Sequence, residues 1–330
     1  MVHQGQSSLL IEKIGINSRY PRHLCSEIIA SVGFFDGVHI GHQHLIEQVK
    51  NEAQREGLPS AVITFSEHPH KVLQADYQPA LLCGYEEKRE KLALTGIDYC
   101  ITLPFTRELS QLSAREFIHR VLQNEIGVHT LLVGHDHRFG HNRESGFPDY
   151  KRYGNEVGMQ VLQASELKID GEEVSSSKIR RLLDRGDIQS VNALLTYNYA
   201  VSGEIVEGYK VGRTLGFPTA NIRTWEPYKV MPPLGVYAVL VRINSLVYKG
   251  MLYIGKRPTL NFDNEVSVEV NIFDFDADLY NQSITVEFID FVRGDVKFDS
   301  MEQLRQQIYK DKETILAITP KSPKGDFPFR

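Results

Sequence analysis

Apolar and polar positions divide this chain of 330 residues into two halves with different periodicity. In the first half, short apolar runs alternate with segments whose apolar residues recur every three or four positions, which predicts alternating strands and helices. This alternation favours a parallel sheet covered by helices, with ligands bound beyond the carboxyl ends of the strands. The predicted strands are Glu27–Phe34, Ser60–Phe65, Tyr99–Leu103, Thr130–Val133 and Gln160–Ala164, and the predicted helices are His42–Arg55, Glu86–Thr95, Ala114–Glu125 and Asp149–Gly158.

In the second half the pattern changes to short runs in which apolar and polar residues alternate, as over Ser267–Ile272. Short strands separated by turn residues predict an antiparallel β-barrel. A closing C-terminal helix is expected over Met301–Leu316, and a short helix over Asp187–Thr196. The predicted barrel strands are Ala200–Val206, Val236–Ile243, Tyr248–Ile254, Ser267–Phe275 and Ile284–Val292.

Length and composition fit two globular domains of a cytoplasmic protein, which we place at residues 1–187 and 188–330. The net charge of −5 argues against a nucleic-acid-binding protein with a broad basic surface. The three cysteines lack metal-ligand spacing, which fits a reducing compartment. The amino terminus lacks the pattern of a signal peptide, and no apolar run reaches membrane-spanning length, so we expect no membrane partner.

The most informative stretch is Gly33–His42, which follows a predicted strand and leads into the first predicted helix. Its three glycines let a phosphate approach the backbone, and a helix N-terminus offers unpaired N–H groups. His39 and His42 can stabilise developing phosphate charge without a covalent step, which predicts a nucleoside triphosphate site. An ordinary loop with surface histidines, or a zinc site that includes His44, are weaker alternatives, since zinc needs three or four convergent ligands. The other ATP-binding residues predicted in this loop are Gly33, Phe34, Asp36 and Gly41.

The spacing His39-x-Gly41-His42 resembles the H-x-G-H signature of the nucleotidylyltransferases. The whole string Gly33–His42 resembles the adenylyltransferase half of the bacterial bifunctional riboflavin kinase/FMN adenylyltransferases, or FAD synthetases. The resemblance implies a nucleotidylyltransferase-like (Rossmann-like) parallel α/β domain followed by the riboflavin kinase barrel. It also implies that both histidines contact ATP while the FMN phosphate attacks the α-phosphorus.

Two later segments resemble the same half of that family. Ser175–Arg180 is similar to its Ser-Ser-Thr-x-Ile-Arg string, and a helix that begins there can hold phosphate. Gly134–Gly140 resembles its flavin or nucleotide loop, in which His135 and His137 here replace the usual acidic and aromatic residues. A metal cluster of these histidines is a weaker alternative, because the flanking glycines and an arginine favour anion contact. The predicted ligands are Ser175, Ser176, Ser177 and Arg180 for ATP, and Asp136 and Arg138 in the flavin or nucleotide loop.

The second informative stretch is Gly208–Asn221, which is rich in glycine and ends in Pro-Thr-Ala-Asn. In an extended segment Thr219 and Asn221 project to the same side, and their oxygens suit Mg²⁺ that carries ATP phosphates. A surface turn is the plain alternative, but the full string resembles the riboflavin kinase signature. The predicted ATP-binding residues are Gly208, Lys210, Gly212, Gly216, Thr219 and Asn221, of which Thr219 and Asn221 are also the predicted metal ligands.

Phosphoryl transfer to an alcohol needs positioning, charge neutralisation and usually a base. The resemblance assigns this base to Glu269, in a string that matches the family's Glu-Val-His-x-x-Asp-Phe except that Asn271 replaces the histidine. Glu269 alternates with apolar neighbours and should therefore point away from their face. Glu265 is the rival candidate, and a solvated strand carboxylate is the plain alternative.

The resemblance thus implies two successive reactions on one chain, with riboflavin, FMN and FAD as substrates and products and ATP as co-substrate. The second half forms FMN, and the first half converts FMN to FAD with release of pyrophosphate. Two other functions stay open at this point. An adenylyltransferase for another nucleotide would not need the second phosphate site, and a flavin-binding regulator would bind FAD without turning over ATP.

Overall fold

A computed structural model describes residues 10–13, 27–68, 76, 78, 80–135, 137–141, 144–169, 171–207, 216–256, 266–277, 279 and 282–319, with the backbone alone for 10–13. The chain divides into two compact units, Met1–Ser176 and Ser177–Arg330. The domain boundary at 187/188 stays a prediction. Within the described part of the chain, none of the helices combines the length and the apolar character needed to cross a membrane.

A parallel sheet forms the centre of the first unit, as the apolar runs predict. Its strands occur in the order β1-β4-β3-β2-β5-β6, and each neighbouring pair is parallel. This order places β2 between β3 and β5, so the loop that follows β2 leaves from the middle of the sheet. The strands are β1 (Leu10–Lys13), β2 (Ile28–Val32), β3 (Ser60–Phe65), β4 (Tyr99–Leu103), β5 (Val128–Val133) and β6 (Gln160–Gln163).

Helices cover both faces of this sheet. Alternate residues of β2 belong to opposite core clusters: Ala30 packs with Phe117, whereas Ile29 packs with Ile46 and Val49 of the first helix. Burial on both faces explains why β2 appears in the sequence as a continuous apolar run. The helices are α1 (Ile40–Glu56), α2 (Tyr85–Ala93), α3 (Arg107–Gln111), α4 (Ala114–Glu116, continued by a π-helix over Phe117–Ile126) and α5 (Phe147–Asn155).

A short hairpin and a helix follow the sheet. The hairpin pairs β7 (Lys168–Ile169) with β8 (Glu172–Glu173), and helix α6 (Ser176–Asp184) begins at the last residue of the first unit. The chain leaves α6 through Gly186, whose φ of 74° is the left-handed conformation that often ends helices.

A closed barrel of six antiparallel strands forms the second unit, in the order β10-β13-β12-β11-β14-β9. All five predicted strands are present, and β10 is an addition, expected only as an extended segment. Helix α7 (Ile188–Leu195) precedes the barrel and helix α8 (Met301–Ala317) follows it. The strands are β9 (Ala200–Val206), β10 (Ala220–Thr224), β11 (Gly235–Ile243), β12 (Leu246–Lys256), β13 (Val266–Ile272) and β14 (Ser283–Gly294).

Helix α8 packs against one outer region of this barrel. Ile315 of the helix belongs to the same core cluster as Val236 and Phe273 of the barrel. Residues directly opposite each other in adjacent strands share a face, so the pairing of Val236 with Tyr253, and of Tyr253 with Glu269, places Glu269 on the helix-covered face. Val268 and Val270 lie on the other face, as the alternation predicts.

Candidate active sites

The loop between β2 and α1 has a strained backbone. Phe35 and Val38 have positive φ angles of 54° and 39°, which cost about 1–2 kcal/mol for a residue with a side chain. At Gly33 an added Cβ would lie 2.9 Å from the Phe35 ring, so a larger residue would displace that ring. Such strain persists only where surrounding contacts hold it, and it is typical of ligand-binding loops.

Asp36 supplies several of these contacts. Its carboxylate is buried and accepts hydrogen bonds from the N–H groups of Leu82 at 3.0 Å and Cys83 at 3.3 Å. The Cys83 sulfur in turn accepts the Gly37 N–H at 3.1 Å. The carboxylate therefore ties the loop to the segment before α2, and its role as an ATP ligand stays a prediction.

His39 and His42 lie together where α1 begins. Their rings stack with centroids 3.7 Å apart, and Nδ1 of His39 accepts the backbone N–H of His42 at 3.4 Å. A neutral His39 ring consequently carries its hydrogen on Nε2, where it can donate to a ligand.

His42 is held in the neutral form. Burial, followed by the nearby charges of His39, His137 and Lys88, lowers the pKa of His42 well below its usual value. Its Nδ1 is covered from solvent and has no hydrogen-bond partner in the described structure. A buried ring nitrogen without a partner is costly, so it marks a position where a ligand could complete the bonding.

The start of helix α6 lies against this loop. The Ser176 hydroxyl donates to the Asp36 carbonyl oxygen at 3.0 Å. At Gly41 an added Cβ would lie 3.2 Å both from His39 Nδ1 and from the Val174 carbonyl oxygen, so the absence of a side chain permits this close approach. Ser176 of the second predicted phosphate-binding segment therefore lies against the first such segment.

The other predicted residues of the first site are placed as follows. Phe34 is half-buried, with its ring 4.8 Å from that of His68. Ser175, Ser177 and Arg138 are exposed, and Arg180 is half-buried on α6. The predicted residues Asp136, Gly208, Lys210 and Gly212, and the rival base Glu265, lie outside the described residues.

Lys88 is a residue that the sequence analysis did not single out. It lies on α2 with 2% of its surface exposed, and its ammonium donates to Phe34 and Phe65 carbonyl oxygens at 3.1 and 2.9 Å. Lys88 and Leu92 are four residues apart and both buried, so the available signal was a lysine within the apolar stripe of a helix.

In the second unit, Thr219, Asn221 and Glu269 converge on one face of the barrel. The Thr219 hydroxyl donates to Glu269 Oε2 at 3.1 Å, and Asn221 lies directly opposite Glu269 across β10 and β13. Asn221 is buried and Glu269 half-buried. The predicted projection of Thr219 and Asn221 to one side agrees with this arrangement.

Asn271 explains how the Pro-Thr-Ala-Asn segment is held. Its Nδ2 donates to the Pro218 carbonyl oxygen at 2.6 Å, just before Thr219. On the other side, the Phe217 ring packs edge-to-face on Tyr309 of α8 at 4.8 Å. Gly216 is exposed with a φ of 82°, a conformation that suits glycine.

Tyr253 is a neighbour of Glu269 that the sequence analysis also missed. It lies directly opposite Glu269 across β12 and β13, and its hydroxyl donates to Asp295 at 3.0 Å. Burial, with help from Asp295, raises the pKa of Tyr253 to about 12, so the phenol stays protonated. Within the described ranges, this site included, no three His, Cys, Asp or Glu side chains are grouped closely enough to hold a metal ion.

Comparison with known proteins agrees with this division into two sites. The family model "FAD synthetase" matches residues 22–178, and the model "Riboflavin kinase" matches residues 195–319. A bifunctional riboflavin kinase/FMN adenylyltransferase of Listeria monocytogenes is 37% identical over 89% of this chain and 93% of its own length. Those of Haemophilus influenzae and Bacillus subtilis are 36% and 34% identical, covering 87% and 91% of this chain and 93% and 96% of their own lengths.

Among solved structures, a crystal structure from Streptococcus pneumoniae, described as a macrolide-efflux protein, superposes with a TM-score of 0.84. It shares 30% sequence identity with this chain, and the match covers 94% of this chain and 100% of the other. The arrangement of an α/β domain followed by a barrel is therefore found in an experimentally determined structure.

Proposed function

This chain belongs to the family of bifunctional riboflavin kinase/FMN adenylyltransferases, and we propose how its residues divide the two reactions. The chain is a bifunctional enzyme of FAD biosynthesis, with the FAD synthetase part N-terminal and the riboflavin kinase part C-terminal. The observation that carries the assignment is the presence of both family matches in this order, each containing one of the two sites. An adenylyltransferase for an unrelated nucleotide would not account for the second match.

In the second unit we assign Glu269 as the general base. Its carboxylate accepts the proton of the riboflavin 5′-hydroxyl, whose oxygen attacks the γ-phosphorus of ATP as the bond to ADP breaks. The hydrogen bond from Thr219 restricts the rotation of the Glu269 side chain and so favours one orientation. FMN and ADP are the products.

The same group of residues suits a magnesium ion. Because the Thr219 hydroxyl uses its hydrogen on Glu269, its lone pairs are available to a cation, and Asn221 adds an amide oxygen nearby. Thr219 and Asn221 would therefore hold Mg²⁺, which when bound offsets negative charge on the ATP phosphates.

In the first unit we assign the binding and stabilisation of the ATP phosphates to His39, His42 and the N-terminal ends of α1 and α6. An FMN phosphate oxygen attacks the α-phosphorus of ATP, and the bond to pyrophosphate breaks. An ionised phosphate needs no base, so the chain has to supply positioning and charge stabilisation only. Phosphate oxygens accept hydrogen bonds, so the Nε2–H of His39 would donate to them, and the unpartnered Nδ1 of His42 would do so when it carries the hydrogen of the neutral ring.

The remaining assignments stay predictions: Ser175, Ser177, Arg138 and Arg180 as further ligands, and a cytoplasmic location. Cys83 and Cys100 are buried free thiols, which suits a reducing compartment.

The test is chromatography of the purified protein after incubation with riboflavin, ATP and Mg²⁺. We expect FMN to accumulate first and FAD to follow. Formation of FMN without any FAD would contradict the function assigned to the first site. If neither riboflavin nor added FMN were converted, the function as a flavin-binding regulator would be favoured instead.

A further inference from the structure

Lys88 joins the ends of two central strands beneath the glycine-rich loop. Its ammonium donates to the carbonyl oxygens of Phe34 and Phe65 at 3.1 and 2.9 Å and to the Thr64 hydroxyl at 3.2 Å. Phe34 is the second residue after β2, and Phe65 is the last residue of β3. All three ammonium hydrogens are therefore used where the loops after β2 and β3 leave the sheet.

The bonding of this ammonium is complete, but every group that accepts one of its hydrogens is uncharged, and the carboxylate of Asp36 acts on it only at longer range. The acceptors are two carbonyls and a hydroxyl, and no carboxylate among the described residues forms an ion pair with Lys88. The ammonium also lies 4.1 Å from the centre of the Phe34 ring, whose face attracts a cation. Burying an unpaired charge is expensive, and an apolar residue of the same shape would avoid that cost.

The position of this charge suggests what offsets the cost. Ligands of parallel α/β sheets bind beyond the carboxyl ends of the strands, which is where the ammonium lies. The adjacent loop carries His39 and His42, and the charge of Lys88 contributes to keeping His42 neutral. A bound triphosphate would add negative charge beyond that of Asp36, which acts on Lys88 without forming an ion pair with it.

We propose that Lys88 is a positioning residue of the adenylyltransferase site, which fixes the glycine-rich loop through the Phe34 and Phe65 carbonyls and attracts the ATP phosphates with its unpaired charge. This inference rests on the function proposed for the first site. Lys88 acts on ATP through the loop and through its field, without being a group that reacts.

The first test is Lys88→Met in the full chain, which keeps an unbranched apolar side chain and removes the charge and the three donors. We expect the kcat/KM of FMN adenylylation to fall by about tenfold or more. The loss should appear mainly as a higher KM for ATP, with the KM for FMN unchanged. Riboflavin phosphorylation by the same preparation should stay unchanged, and it reports on the integrity of the chain.

Lys151→Met is the matched control, because Lys151 is an exposed lysine of the same unit. It should leave both activities unchanged. Unchanged adenylylation in Lys88→Met would overturn the proposal. A fall in kcat together with similar rises in the KM for ATP and the KM for FMN would indicate a general structural role. That result would also overturn the proposal.

A second measurement needs only the wild-type protein, so it decides the question even if Lys88→Met does not fold. NMR of lysine side chains would follow the titration of Lys88, assigned through its covalent bonds to the backbone, with and without an ATP analogue that cannot be cleaved between its α- and β-phosphorus. Burial lowers the pKa of Lys88 to about 8, although the nearby groups Cys83, Asp36 and Cys100 act in the opposite direction and raise it. A bound phosphate should raise this pKa, because negative charge favours the ammonium.

No change in the pKa of Lys88 on binding the analogue would contradict the proposal. The double variant His39→Ala/His42→Ala separates its failure from that of the proposed function. If that variant loses FAD formation while the pKa of Lys88 does not change on binding the ATP analogue, the site assignment stands and the proposed role of Lys88 is wrong. If that variant still makes FAD, the site assignment itself is wrong.

Discussion

The Thr219 hydroxyl donates a hydrogen bond to Glu269 Oε2 over 3.1 Å, which joins two motifs that lie 50 residues apart in the chain. The Pro-Thr-Ala-Asn segment and the strand with the glutamate thereby lie together. One contact thus unites the proposed metal ligand and the proposed base.

Glu269→Gln should lower the rate of FMN formation by about 100-fold or more, which abolishes it in practice, and should leave the conversion of FMN to FAD intact. Glutamine keeps the size of the side chain and an oxygen that Thr219 can donate to, but it cannot take a proton from the riboflavin hydroxyl. Chromatography of separate incubations with riboflavin and with FMN measures both steps. Loss of both activities in a folded protein would refute the assignment of separate sites.

His39→Ala/His42→Ala should have the opposite effect. Without the two stacked imidazoles the first site loses its side-chain contacts to the ATP phosphates, and we expect FAD formation to fall by about 100-fold or more. The riboflavin kinase reaction should continue at its normal rate, since its residues lie in the other unit. Normal FAD synthesis by this variant would show that the stacked pair serves the fold alone.

Asn271→Ala should lower the kcat/KM of riboflavin phosphorylation by roughly tenfold, because the Pro218 carbonyl loses its donor and the segment that carries Thr219 is less well held. Asn271→His, which introduces the residue usual in the family, still offers a ring N–H and should retain more activity than the alanine variant. Steady-state kinetics of the two variants make the comparison. Equal activities of Asn271→Ala and wild type would contradict the positioning role of Asn271.

Lys88 should make the stability of the protein depend on pH between about 8 and 10.5. The folded protein releases the Lys88 proton near pH 8, whereas the unfolded chain keeps it until about 10.5. The unfolded state therefore binds more protons in this window, so the free energy of unfolding rises with pH. The rise is at most on the order of 3 kcal/mol.

Urea unfolding followed by circular dichroism at pH 7.5 and pH 10 would measure this rise. Other lysines titrate in wild type and in Lys88→Met alike, so the difference between the two proteins isolates the contribution of Lys88. The same change with pH in both proteins would show that Lys88 has an ordinary pKa.

Much of the fold is predictable because its signals are local. The buried strands of the sheet are continuous apolar runs, and the Ser-x-x-Glu sequence of Ser113–Glu116 forms a capping box with both of its hydrogen bonds. Strand β10 was not recognised as a strand, since Ala220–Thr224 is short and is specified by its pairing with β9 and β13. Such pairings join distant parts of the chain and leave no periodicity in the sequence.

The candidate sites were predictable to the extent that a motif carries them. The motifs marked both predicted phosphate-binding segments of the adenylyltransferase site, whose function stays a prediction, but the hydrogen bond from Ser176 to the Asp36 backbone could not be anticipated. The carboxylate of Asp36 shows the limit most clearly, because its bonds to Leu82 and Cys83 depend on a segment 46 residues away. Lys88 was missed for the same reason, since its sequence neighbours do not reveal that its ammonium contacts the carbonyl oxygens of Phe34 and Phe65.

The most direct test of two separate sites on one chain is to mix, in equal amounts, the two variants that each lack one of the two activities. Glu269→Gln and His39→Ala/His42→Ala are incubated together with riboflavin, ATP and Mg²⁺, and FAD is measured by chromatography. We predict that the mixture makes FAD although neither variant does so alone, because one supplies FMN and the other adenylylates it. A mixture that makes no FAD, although each variant retains its expected single activity, would contradict the account.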